Sequence, residues 1–190
     1  MSNVFDVGQL VTELVPSVEK MKLYKLCFFS QGWHLAWTGR PLFEEKLLAC
    51  AEGPVPARLR READAVVRGW EIPNVPRGNS DKLSSYERAV VFNVVSSYGG
   101  LSSRALSQMT HGLAWREARC GSKEDECSEN TLSVSTIRAE FTNLLHTAEA
   151  TPIAPPLPME AELMTFEDML GVASGVESEW RETLALLSRR

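Results

Sequence analysis

Apolar residues at positions 7, 10, 11, 14 and 15 recur at helical spacing and predict a first helix over residues 4–15. Pro16 ends it, because a proline disfavours helical geometry at the residue before it. Ser17 is then placed to cap a second helix from Val18 to Trp37. Its apolar positions (Met21, Leu23, Tyr24, Leu26, Cys27, Phe28, Phe29, Trp33, Leu35, Ala36, Trp37) run round most of the circumference, which predicts a central core helix. Gly39 stops it as a left-handed cap.

Pro41 and Gly53-Pro54 bracket a short segment in which Leu42-Phe43 and Leu47 to Cys50 read as two strands joined at Glu44-Glu45. A helix is predicted from Pro56 to Val67, and residues 68–82, with Gly69, Pro73, Pro76, Gly78 and Asn79, read as a loop. Ser84 and Glu87 form a capping box for a helix to Tyr98, with Val90, Val91, Val94 and Val95 inward and Gly99-Gly100 as its end. Ser102 caps a short helix over 103–110, Trp115 to Arg119 make a further helical turn, and 120–130 form a polar acidic loop. Ser133 caps a helix from Val134 to Thr147 that turns Ile137, Phe141, Leu144 and Leu145 inward. Four prolines between Thr151 and Pro158 predict a semi-stiff spacer, and helical patterning resumes over Leu163 to Val172 and Val176 to Leu187. The expectation is a mainly α fold: a compact helical domain with a short β hairpin over 1–150, then a Pro-rich linker and C-terminal helical segments over 151–190.

Composition narrows the function classes. At 190 residues, 44% apolar and 24% charged, the chain is able to bury a core without staples, and wholesale disorder is excluded. No apolar run approaches the roughly 20 residues of a membrane-spanning helix. The N-terminus has neither a basic stretch nor an apolar run, so a cytoplasmic chain is expected. The net charge of −5 is uneven: −2 over 1–20, +5 over 21–120 and −8 over 121–190. A mildly basic body with an acidic final third does not fit a nucleic-acid binder. Ser102 to Gln108 faintly resembles the first helix of a helix-turn-helix, but His111 to Ala114 supply no base-reading second helix. The acidic third is either a solvated surface or a segment that docks on a basic surface.

Candidate chemistry is sparse. Cys27 and Cys50 sit in apolar runs and read as buried small hydrophobes; Cys120 and Cys127 are close enough in sequence to pair, against which a reducing cytosol argues. The cysteines and His34, His111 and His146 lack zinc-ligand spacing, and no phosphate-binding glycine loop is present. Cys27 with His34 or His111 is an imaginable nucleophile and base, but nothing in the sequence brings them together. The reading is of a protein that is not an enzyme, with no catalytic residue, metal or cofactor.

Residues 22–36, Lys22-Leu23-Tyr24-Lys25-Leu26 through Gly32-Trp33-His34-Leu35-Ala36, resemble the signature helix of the Panacea domain, the family of the SocA-like antitoxins and of phage-associated relatives. Gly39 to Glu45 and Gly53-Pro54-Val55 resemble its next blocks. Leu106, Thr110-His111, Ala114-Trp115 and Ala118-Arg119 resemble its second signature, with Ala114 where a proline is usual. Cys50-Ala51-Glu52 stands where an aromatic often precedes Gly-Pro-Val. The resemblance spans about residues 5–147. It implies a bacterial or phage antitoxin that neutralises an adjacently encoded toxin by direct protein contact, the toxin being in some cases an RNA- or tRNA-modifying enzyme. One branch implies instead an adaptor that delivers its toxin to an AAA+ protease; a DNA-binding autorepressor is a further alternative. The implied domain is mostly helical with short β elements.

The motif residues have both structural and functional readings. Lys22 and Lys25 either pack their stems with the ammonium groups in water or form an interfacial ion pair. His34 reads as a hydrogen-bonded core or rim residue, and Trp33 and Trp37 as core. Thr110, His111 and Trp115 are the most site-like group, with Thr110 as a candidate cap of the turn that carries Trp115. In the tail, Phe166, Met169, Leu170, Val176, Trp180 and Leu184 form amphipathic faces that either fold back or enter a groove of the toxin, with Trp180 as anchor.

Overall fold

The computed structural model describes residues 3–123, 127–128, 130–147 and 151–157. Among them are seven α-helices and two small antiparallel ribbons, so the fold is mainly helical with a β hairpin. Helix α1 (Val4–Leu14) is capped by Asn3, whose side chain accepts from the amides of Phe5 and Asp6. Ser17 caps nothing: it takes a left-handed φ of 54° and turns the chain into β1 (Val18–Glu19). The core helix α2 (Lys20–Thr38) therefore starts later than the serine suggested, and it ends at Gly39 with φ 72°.

Everything described is organised round α2, whose residues Leu23 to Leu35 are all buried and which packs on α1 and on α3 (Ala57–Val66), α4 (Ser85–Tyr98), α5 (Ser103–Met109) and α7 (Val134–Thr147). A helix surrounded this way cannot keep a polar face, so each buried polar side chain must find a partner inside. Gln31 meets the Phe43 carbonyl (2.9 Å) and accepts from the amides of Leu42 (2.8 Å) and Phe43 (3.1 Å). Trp33 donates to the Tyr98 hydroxyl (3.1 Å), Ser30 donates to the Leu26 carbonyl (2.8 Å), and His34 Nδ1 lies 2.7 Å from the Arg40 carbonyl. Burial holds the His34 pKa below the ordinary histidine value, offset in part by that carbonyl and by Glu87. At Gly32 a Cβ would collide with the Phe141 ring, so the glycine is what lets α7 close on α2.

The hairpin differs from the expectation. Leu47–Cys50 (β2) pairs not with Leu42-Phe43 but with Gly53–Pro56 (β3), through a turn at Ala51-Glu52. Leu42 and Phe43 are held by Gln31 instead, which takes their amides out of any ladder. The expected loop 68–82 contains β4 (Glu71–Ile72), antiparallel to β1, and a 3-10 turn at Ser80–Lys82. The capping box at Ser84 and Glu87 forms as read. The short helix α6 (Leu113–Ala118) begins two residues before Trp115. Residues 127–128 and 130–132 lie along β2, with Ala49 donating to the Asn130 carbonyl and Leu132 to the Leu47 carbonyl. This brings Cys127 to Cys50, and the two form a disulfide; Cys120 is free and exposed, and Cys27 free and buried.

The chain divides into two units, Met1–Pro156 and Leu157–Arg190. Within the first, Pro152 and Pro155 are buried and Asn93 donates to the Ile153 carbonyl (2.7 Å), so the expected spacer is seated on the domain over its first residues. No helix among the described residues is long and apolar enough to cross a membrane.

Candidate functional site

The two sequence blocks meet at one junction. Lys25 projects from the buried middle of α2 and is fully enclosed; its Nζ donates to the Pro54 carbonyl of β3 (3.1 Å). Gly53, beside it, has φ 98°, and a Cβ there would lie 2.9 Å from Lys25 Nζ and collide with the Thr110 hydroxyl. Glycine is therefore required at position 53 twice over, for the backbone angle and for the close approach of two polar side chains. Thr110 does not cap α6, whose first position is taken up by Gly112; its hydroxyl donates back to the Ser107 carbonyl (2.7 Å). Ser107 in turn donates to the Glu52 carbonyl (2.7 Å) and lies 3.2 Å from its carboxylate, tying α5 to the hairpin turn.

A second set of bonds fastens β2. His111, Trp115 and Arg119 are four residues apart and stack in sequence: the His111 and Trp115 rings lie 4.0 Å apart, and the Arg119 guanidinium sits 5.5 Å from the Trp115 ring centre. The His111 ring is hydrogen-bonded to the Ala51 backbone, Trp115 Nε1 donates to the Cys50 carbonyl (2.8 Å), and Arg119 donates to the Ala49 carbonyl (3.1 Å). Three side chains at helical spacing thus reach three consecutive backbone units of the strand and its turn. This explains the chemistry of the block: each residue has to be both flat enough to stack and able to donate.

Burial lowers the Lys25 pKa to about 7, with Glu52 pulling the other way. Burial first, then the charge of Lys25, holds His111 below the ordinary histidine value. The imidazole is neutral at pH 7, and its Nε2 has no hydrogen-bond partner among the described residues. The His111 edge borders a polar cleft of about 610 Å³ that also touches Met21, Glu52, Arg104 and Gln108. Cys27 is not a nucleophile for it: the thiol is completely buried in the core, and burial pushes its pKa far up. Among the described residues no group of three His, Cys, Asp or Glu is placed to hold a metal ion.

Of the residues singled out in the sequence, Lys25, Gly53, Pro54, Thr110, His111 and Trp115 converge here. Leu23, Leu26, Trp33 and Val55 are core, Gly32 is the α7 contact, and Lys22 is half-buried at the start of α2. Of the two lysines, Lys25 departs from the reading in which the ammonium reaches water. Phe166, Met169, Leu170, Val176, Trp180 and Leu184 lie outside the described residues. Glu52 and Ser107 carry no signal in the sequence, because their bond joins two segments far apart in it. Trp70, within the segment expected as a loop, is 88% exposed.

These features define a helical module in which a hairpin is locked onto a core helix by side-chain donors. Residues 23–116 match the family model described as antitoxin SocA-like, Panacea domain. That segment, from the signature helix through Trp115, is similar to the Panacea domain of the SocA-like antitoxins. Comparison with curated proteins and with solved structures gives no match.

Proposed function

We propose that this chain is a cytoplasmic antitoxin that neutralises an adjacently encoded toxin by binding it directly, and that it acts as a binding protein and not as an enzyme. The match of residues 23–116 to the SocA-like antitoxins carries this reading. The junction supports it physically: the donors of Lys25, Thr110, Trp115 and Arg119 are engaged with backbone carbonyls, which fits a framework better than a reaction centre. Inhibition then falls to the surface of the module, and the −8 charge of residues 121–190 suits a basic face of the toxin as a second contact.

Co-expression with the neighbouring open reading frame tests the reading. The expected result is a neighbour that is toxic alone, harmless with this chain, and recovered with it as a stoichiometric complex. Rescue without a complex and with disappearance of the toxin would replace direct blocking by delivery to a protease. Truncation after Leu157, which leaves the seated prolines in place, measures the contribution of Phe166, Met169, Leu170, Val176, Trp180 and Leu184.

A further inference from the structure

The disulfide between Cys50 and Cys127 joins positions 77 apart in sequence, and it lies at a surface. Both cysteines line a cleft of about 390 Å³ between the start of α2, the hairpin turn and α3, together with Tyr24, Arg60, Asp64 and Trp70. The two sulfurs are not equally placed. Cys50 ends β2 and is buried, while Cys127 is half-buried. Of the two, Cys127 is the one more open to a reagent.

Arg60 of α3 sets them further apart. Its Nη1 donates to Cys50 Sγ (3.3 Å), and its Nε lies 3.6 Å from the Asp64 carboxylate. The charges round the cleft balance, Lys20 and Arg60 standing against Glu52 and Asp64, with Lys20 3.1 Å from Asp64. The effect on sulfur is therefore local. A guanidinium within hydrogen-bond reach of a cysteine favours its thiolate. A thiolate so stabilised is a good leaving group, and a disulfide with a stabilised reduced form opens readily. Opening it does not require the hairpin to unfold. The Cys50 carbonyl keeps its bond from Trp115, and the Ala49 carbonyl keeps those from Arg119 and the Ser128 amide.

We propose that Cys50 and Cys127 form a thiol–disulfide exchange site for a small monothiol of the glutathione class. The monothiol, as its thiolate, attacks Cys127 Sγ. The bond between the cysteines breaks, and its electron pair leaves on Cys50 as a thiolate held by Arg60. A second monothiol then attacks the small-molecule sulfur of the mixed disulfide and releases Cys127. One protein disulfide and two monothiols thus become two protein thiols, which take the two protons, and one small disulfide; that small disulfide drives the reverse reaction. A lasting disulfide is unusual in a cytoplasm, the compartment proposed above, whereas an exchanging one is common among those found there. The site goes beyond the antitoxin reading and does not depend on it.

The test is thiol trapping on the purified full chain, which needs neither toxin nor cell and so stands or fails apart from the antitoxin reading. The chain is equilibrated across a series of reduced-to-oxidised glutathione ratios, quenched in acid, alkylated in denaturant and mapped by peptide mass. At the oxidising end the expected alkylated residues are Cys27 and Cys120 alone, and at the reducing end all four cysteines. In a Cys120→Ser background, Cys50→Ser should accumulate glutathione on Cys127, and Cys127→Ser much less on Cys50. Arg60→Ala should slow reduction of the pair roughly threefold or more, and Arg60→Lys should restore part of the rate. Four alkylated cysteines at the oxidising end, or a bond that stays closed throughout the series, overturns the site. Glutathione accumulating on Cys50 in preference to Cys127, or an Arg60→Ala rate equal to wild type, overturns the assigned roles of the two sulfurs and the arginine.

Discussion

Tyr24 and Lys25 are neighbours on α2, but they face junctions of opposite character. Round Lys25 the polar groups are spent on backbone carbonyls, glycine is demanded by contact, and two distant sequence blocks interlock. Round Tyr24 a hydroxyl is buried without a partner among the described residues, and Trp70, which borders the same cleft, stands in water. The signature residues mark the first region and none of the surface features of the second. A sequence motif here locates what fixes the hairpin, and the exposed Trp70 lies outside every motif block. If this contrast is right, substitutions at the first region lower stability, and one at the exposed Trp70 leaves it alone.

The strongest challenge to the contrast is Gly53→Ala. The substitution forces an alanine to φ 98° and drives its Cβ into Thr110 and Lys25. Strain of about 1–2 kcal/mol for the backbone and a further 1–3 kcal/mol for overpacking are expected, read as a lower urea midpoint with an unchanged slope. A loss of antitoxin effect with no loss of stability would move the Lys25 junction from framework to contact surface.

Lys25→Met sharpens the same point through pH. In the folded chain Lys25 titrates at about 7, against 10.5 for an ordinary lysine, so between these values the unfolded chain binds more protons. Wild-type stability should therefore rise as pH increases above 7. Cys27 and Tyr24, both pushed up by burial, oppose this only from about pH 9 and pH 10 upward, because their unfolded forms ionise first. The clean window is pH 7 to 9, where one proton corresponds to roughly 2 kcal/mol. In Lys25→Met that rise should be absent, and denaturant titrations at the two pH values measure it.

Much of this was legible in the chain. The helical periods, the Ser84 capping box and the Gly39 stop involve neighbours in sequence, and they form as expected. The expected Leu42-Phe43 strand does not form because Gln31, twelve residues from Phe43, captures the amides that it would need. The pairing of Cys50 with Cys127 depends on Ser128, Asn130 and Leu132 bonding back to β2, which no local pattern announces. The family blocks were visible as residue types. Their physical meaning, three donors stepping along three backbone units, required the strand and α6 in place together. Trp70 had no signal at all: an isolated tryptophan between glycine and glutamate reads the same buried or exposed.

Trp115→Phe is a smaller test. It keeps a flat ring for His111 and Arg119 to stack on but removes the donor to the Cys50 carbonyl, for an expected loss of about 1–2 kcal/mol. A loss well below this would make stacking, and not hydrogen bonding, the main hold on β2.

Trp70→Ala should have the least effect on folding of all. Its side chain is 88% exposed, its backbone bond to Lys20 survives the substitution, and it fills no core space. A change within about 0.5 kcal/mol is expected in thermal or urea unfolding. The contrast is then sharpest when the two experiments are set side by side: Gly53→Ala lowers stability, while Trp70→Ala leaves stability alone and alters only the exposed surface. A Trp70 variant that unfolds as easily as the Gly53 variant would mean that the indole packs against the body of the protein in solution, and the distinction between the two faces of α2 would fail.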